Sequence, residues 1–123
     1  MKKRLLGIAL LLAAAATAIS VSVALARPAS GTVLKISADK IALKFNVSKL
    51  KAKAGKITII MTNPSPLQHN VAVEGKSAEV KGKVVGKGGV SKVTLTLKKG
   101  TYEFYCTVPG HRAAGMKGKL TVT

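Results

Sequence analysis

From residue 32 to the C-terminus the chain never sustains the apolar period of an amphipathic helix. It breaks instead into short runs rich in Val, Ile, Thr and Leu, separated by Gly, Pro, Asn or Lys-Gly. Eight of these runs read as strands: 32–37, 41–47, 56–62, 70–74, 79–85, 90–97, 101–106 and 117–122. Residues 48–53 are expected to make one helical turn. The stretch VSKVTLTLKKGTYEFYC reads as strand, Lys-Lys-Gly turn and strand, hence a hairpin. Short strands at this spacing predict an all-β sandwich or barrel in a single domain. Alternation orients the strand at 102–106. Glu103 must face water, so Tyr102, Phe104 and Cys106 point inward.

The first residues have another character. Met1-Lys2-Lys3-Arg4 precedes an uncharged run that ends Ala24-Leu25-Ala26. A basic start, an apolar stretch and a small-x-small end are the pattern of a secretory signal peptide. Residues 1–26 are therefore expected to be a leader cut after Ala26, followed by a linker at 27–31 and a domain at 32–123. A retained anchor is the alternative, since an apolar run of about 20 residues spans a bilayer. Both readings put the domain outside the cytoplasm, on the periplasmic or extracellular side of the membrane.

The leader carries three of the 21 basic residues and none of the four acids, so the remaining 97 residues have a formal charge of +14. Such an excess speeds encounter with acidic partners and anionic membrane surfaces. It does not indicate nucleic acid. Only Phe45, Tyr102, Phe104 and Tyr105 could stack on bases, and export argues against it. Small exported domains often depend on disulfides, yet Cys106 is the only cysteine. It is then a reactive thiol, an intermolecular bridge or a ligand. Asn46-Val47-Ser48 is a glycosylation sequon by pattern, read as accidental within a strand.

The stretch YCTVPGHRAAGM decides among the roles of Cys106. Cys106, His111 and Met116 follow one another as Cys-x4-His-x4-Met, and His69 sits upstream at the mouth of an apolar strand. Two imidazoles, a thiolate and a thioether form the donor set of a blue copper electron-transfer site. Thiolate and imidazole suit both Cu(I) and Cu(II), and a weak thioether does not enforce the square geometry Cu(II) would choose. Structural zinc sites generally use four Cys or His ligands without Met. A Cys–His nucleophile needs an orienting third group and a pocket, and this loop offers neither.

The segment GTYEFYCTVPGHRAAGMKGKLTV resembles the C-terminal signature of cupredoxins, the small blue copper proteins, and HNVAV is similar to their upstream His-Asn element. Tyr-x-Phe-Tyr-Cys is plastocyanin-like, whereas the four-residue Cys-to-His gap is closer to auracyanin and azurin. The resemblance covers 32–123. It implies a Greek-key β-sandwich with one mononuclear type 1 copper, His69, Cys106 and His111 as equatorial ligands and Met116 as axial ligand. It further implies Asn70 and Thr107 around the ligands: the Asn70 backbone N–H on the Cys106 sulfur, its side chain tied to the loop near Thr107. Tyr105 and Thr107 flank the cysteine where multicopper oxidases have histidines, and a binuclear centre would need a second cysteine. No enzyme activity is expected.

The resemblance implies a one-electron carrier, expected as a monomer, that exchanges electrons through the exposed edge of His111. Pro64, Pro66, Leu67, Pro109, Ala113 and Ala114 would form an apolar patch around it, and Tyr105 is a second candidate route. The lysine excess points to acidic redox partners, such as cytochromes or terminal oxidase domains, docking transiently. A copper-delivery protein with the same ligands is the alternative. Tryptophan is absent, azurin's disulfide is missing, and lysines stand where plastocyanin has an acidic patch, so partner identity does not carry over.

Overall fold

The computed structural model describes residues 13–22, 31–76 and 79–123. The leader's cleavage sequence and the linker, save Gly31, lie outside them; residues 13–22 form no helix or strand. No described helix is long and apolar enough to cross a membrane. Eight strands follow: β1 (Thr32–Ser37), β2 (Lys49–Ala52), β3 (Gly55–Thr62), β4 (Ala72–Glu74), β5 (Glu79–Lys81), β6 (Val90–Leu97), β7 (Gly100–Tyr105) and β8 (Lys117–Val122). They make two sheets, ordered β1-β3-β6 and β2-β8-β7-β4-β5. The result is a Greek-key sandwich, as expected.

Alternation builds the core between the sheets. Ile57, Ile59 and Met61 of β3 point inward with Val93 and Leu97 of β6. They face Val73, Phe104, Leu120 and Val122 of the larger sheet. Phe45 adds an aromatic contact, its ring centroid 5.5 Å from that of Phe104. Phe104 sets one glycine: a Cβ on Gly118 would lie 2.1 Å from its Cζ and 2.7 Å from the Ser48 carbonyl oxygen. Only a residue without a side chain fits there.

Three expectations are corrected. Residues 41–47 are not a strand. The Asp39 carboxylate accepts the backbone N–H groups of Ile41 and Ala42, at 2.9 and 2.8 Å, and the turn this makes ends pairing after Ala38. Only one bridge, Ala38 to Phe45, follows, and Ile41 stands 92 % exposed. Asn46 of the sequon is accordingly exposed and outside any strand. The expected helical turn at 48–53 is instead the edge strand β2, parallel to β8 with Leu50 opposite Leu120. Its lysines alternate outward while Ala52 is buried. Finally, β6 and β7 are not a hairpin. β6 pairs with β3, whereas β7 pairs with β4 and β8, so Lys98-Lys99 carries the chain from one sheet to the other. Each strand has an apolar face to bury, and the crossing lets the two faces oppose one another across the core.

Candidate metal centre

At one end of the sandwich, where β3, β7 and their neighbours finish, the scarce soft side chains meet. Cys106 directly follows β7 and is fully buried; its N–H donates to the Met116 carbonyl at 3.1 Å. Met116 is also fully buried, and its N–H donates to the His111 carbonyl at 3.0 Å. The intervening loop is a tight pair of turns, with Ala114 N–H on Gly110 and Gly115 N–H on Arg112. Gly110 and Gly115 have φ of 82° and 113°, and nothing crowds a Cβ at either position. These glycines are needed for backbone conformation, which favours Gly at positive φ. His69 comes from a different segment, bridged to Val85 by two backbone bonds.

The donor atoms face each other. Nδ1 of His69 and Nδ1 of His111 are 3.2 Å apart, and Cys106 Sγ lies 3.9 and 3.6 Å from them. With metal–nitrogen bonds of about 2.0 Å and metal–thiolate bonds of about 2.3 Å, a trigonal plane separates nitrogens by about 3.5 Å and nitrogen from sulfur by about 3.7 Å. The triangle therefore fits one ion, held by two imidazoles and a thiolate, with the Met116 side chain close by in sequence and wholly buried. Those donors are a type 1 copper set. Burial, and secondarily the neighbouring His111 ring, hold His69 below the ordinary imidazole range, so it stays neutral and ready to ligate.

The surrounding bonds show which expectations the structure brings together. Asn70 is buried; its amide donates to Thr107 Oγ1 at 2.8 Å and to the Gly82 carbonyl at 2.9 Å, and its Oδ1 accepts Thr107 N–H at 2.7 Å. The side-chain tie is thus present, whereas an Asn70 N–H bond to the sulfur is not found among the described residues. Tyr105 is only 4 % exposed. The Arg112 guanidinium lies 3.8 Å from its ring centroid, and its hydroxyl donates to Glu79. Burial first, then Glu79, raise its pKa. His111 is half-buried, with Pro109, Gly110, Ala113 and Ala114 exposed around it and Leu67 48 % exposed.

Sequence reasoning missed Asn63 and Ser65. Both are buried, in the turn-rich segment NPSPLQH that leads into His69. Ser65 Oγ lies 3.2 Å from His69 Nε2 and accepts Leu67 N–H at 3.1 Å. Asn63 Oδ1 accepts Ser65 N–H, and its amide donates to the Leu67 and Val85 carbonyls. With Nδ1 facing the site, Nε2 carries the hydrogen and Ser65 accepts it. That bond fixes the ring and its tautomer. The available signal was a serine four residues before a histidine, between two prolines that set the turn.

Comparison with known proteins agrees with this geometry. The profile of copper binding proteins of the plastocyanin/azurin family matches residues 32–123. Plastocyanin from Daucus carota is 35% identical over 99 residues, spanning 73% of this chain and 98% of the relative. Rusticyanin from Acidithiobacillus ferrooxidans is 40% identical over 70 residues, spanning 57% of this chain and 41% of the relative. Among solved structures, dithionite-reduced auracyanin from Roseiflexus castenholzii superposes with a TM-score of 0.66 at 28% identity, over 76% of this chain and 98% of that one.

Proposed function

Since the chain belongs to the plastocyanin/azurin family of copper-binding proteins, we propose that it is an exported carrier of single electrons. The observation that carries this reading is the triangle of His69 Nδ1, His111 Nδ1 and Cys106 Sγ at one end of a rigid sandwich. Bound there, copper supplies a Cu(I)/Cu(II) couple that takes up and returns one electron.

The chain's own residues do the rest. His69, Cys106 and Met116 are shut away from water, so the surroundings have few solvent dipoles to reorient when charge changes. Ser65 and Asn70 hold ligand-bearing segments in place from either side. His111 has its Nδ1 turned toward His69 and Cys106 and is the one half-exposed member of the set. It therefore offers the open path for exchange, whereas Tyr105 is covered by Arg112. Leu67, Pro109, Ala113 and Ala114 make the nearby surface apolar and easily dehydrated, which suits brief docking with a small interface. Lysines elsewhere steer acidic redox partners, such as a cytochrome or a terminal oxidase domain, and salt screens that attraction. The leader pattern at 1–26 supports a site of action outside the cytoplasm.

The test is to load purified protein with Cu(II) and record visible and EPR spectra, followed by voltammetry. An intense blue band, narrow copper hyperfine splitting and a reversible one-electron wave with retained copper are expected. An ordinary square-planar Cu(II) spectrum would remove the site assignment. Release of the metal to an acceptor on each reduction would instead establish copper delivery.

A further inference from the structure

A row of charge crosses the outer face of the larger sheet. Strand register sets Glu79 opposite Glu74, Glu74 opposite Glu103, and Glu103 opposite Lys119. Three of the chain's four acids thus stand side by side in a protein otherwise dominated by lysine. Like charges directly opposite on paired strands repel, so this row needs a cation between its members. Lys81 lies 3.7 Å from Glu79 at one end of the row, and the cation for the other two comes from the ligand loop. Arg112 Nε donates to Glu103 at 2.7 Å and Arg112 Nη1 to Glu74 at 2.9 Å, with the guanidinium plane over Tyr105. Tyr105 is held in turn by Glu79. Arg112 is the residue after His111, and its carbonyl closes the second loop turn through Gly115 N–H.

We propose that Arg112 is a positioning residue for the ligand His111. Two strands and an aromatic ring fix the guanidinium, and the guanidinium fixes the turn that carries His111. Glu74 and Glu103 receive it, so the arginine's charge is spent within the molecule. A lysine would keep the charge but lose the planar fork and most of the stacking. This role rests on the copper reading of the site, but the anchoring itself can be measured without metal.

The test compares the purified wild type with Arg112→Met, Arg112→Lys and the double variant Glu74→Gln/Glu103→Gln. Amide hydrogen exchange of the metal-free proteins is followed in residues 107–115 and in β3 and β6. Release of Cu(I) to a strong chelator is then timed. In Arg112→Met, loop exchange and copper release should both accelerate, release by roughly tenfold or more, while β3 and β6 stay as protected as in the wild type. The double glutamate variant should match it, and Arg112→Lys should fall between. Unchanged loop exchange, or an equal loss of protection in β3 and β6, would overturn the proposal. If the wild type gave no blue chromophore, the copper reading would fail by itself, and metal-free exchange would still decide whether Arg112 anchors the loop.

Discussion

Removal of the Ser65 hydroxyl is the most direct probe of how His69 is held. In Ser65→Ala, two N–H groups lose their acceptor, His69 Nε2–H and Leu67 N–H, now 3.2 and 3.1 Å from Oγ. His69 and Ser65 are both buried, so water cannot easily take the place of the hydroxyl. An unsatisfied buried donor costs about 1–3 kcal/mol, and Leu67, nearer the surface, adds less, for a total of about 2–4 kcal/mol. At about 4–8 °C per kcal/mol in a domain of this size, the metal-free protein should lose at least about 8 °C in Tm. The copper form carries a second signature. Donation from Nε2–H to Ser65 enriches the ring, which favours Cu(II) over Cu(I). Losing it should raise the reduction potential, by about 59 mV for each tenfold change in the ratio of the two affinities. Ser65→Thr separates the effects: it keeps the hydroxyl but crowds a packed site, so it should restore the potential without restoring stability. Calorimetry and voltammetry on the three proteins measure both quantities. An Ala variant that keeps its Tm and potential, or Ala and Thr variants that shift the potential equally, would refute the reasoning.

Cys106→Ser should abolish the blue band in the visible spectrum, because the thiolate-to-copper charge transfer disappears; Met116→Leu should keep copper and raise the potential in voltammetry, because loss of the thioether disfavours Cu(II). The Tyr105 hydroxyl, and to a lesser degree Lys81, hold the Glu79 carboxyl below its ordinary value of 4.5. Its stabilising contribution is therefore present above about pH 4.5 and lost as pH falls through the lowered value. Urea midpoints taken across that range should show a shallower acid limb for Glu79→Gln than for the wild type. Gly118→Ala drives a Cβ against the Phe104 ring and the Ser48 carbonyl, 2.1 and 2.7 Å away, and should destabilise the fold by about 1–3 kcal/mol in urea titration.

The ligand set was legible because its chemistry is local and rare. Three donors lie within eleven residues, and a thiolate, two imidazoles and a thioether have few joint uses. Pairing was not legible. The run at 41–47 has strand composition, but one Asp39 side chain captures two backbone N–H groups and turns the chain away. Lys49–Ala52 has weak composition and becomes a strand because β8 offers it a parallel edge far along the sequence. VSKVTLTLKKGTYEFYC contains both strands it promised, but nothing in it reveals that Val93 and Phe104 must oppose each other across the core instead of lying in one sheet. Ser65 went unseen because a buried serine's partner is a matter of three dimensions.

The residues that hold the ligands share a logic that local motifs do not express. His69 is fixed by Ser65 and, through it, by Asn63; the start of the loop at Thr107 by Asn70; the turn after His111 by Arg112 on Glu74 and Glu103. The three sets share no side chain, and each ties a ligand-bearing segment to a different part of the sandwich. The first two lie in the interior, where an unmade hydrogen bond is costly. The third lies at the half-exposed surface, where a single ion pair is worth little. It compensates by joining two carboxylates and an aromatic ring around one guanidinium. Of the four candidate ligands only His111 is half-exposed, so it is the one the buried interior cannot hold from all sides. A chain with only four acids places three of them in a row, two of which hold the arginine of that ligand's loop while the third holds the tyrosine beneath it.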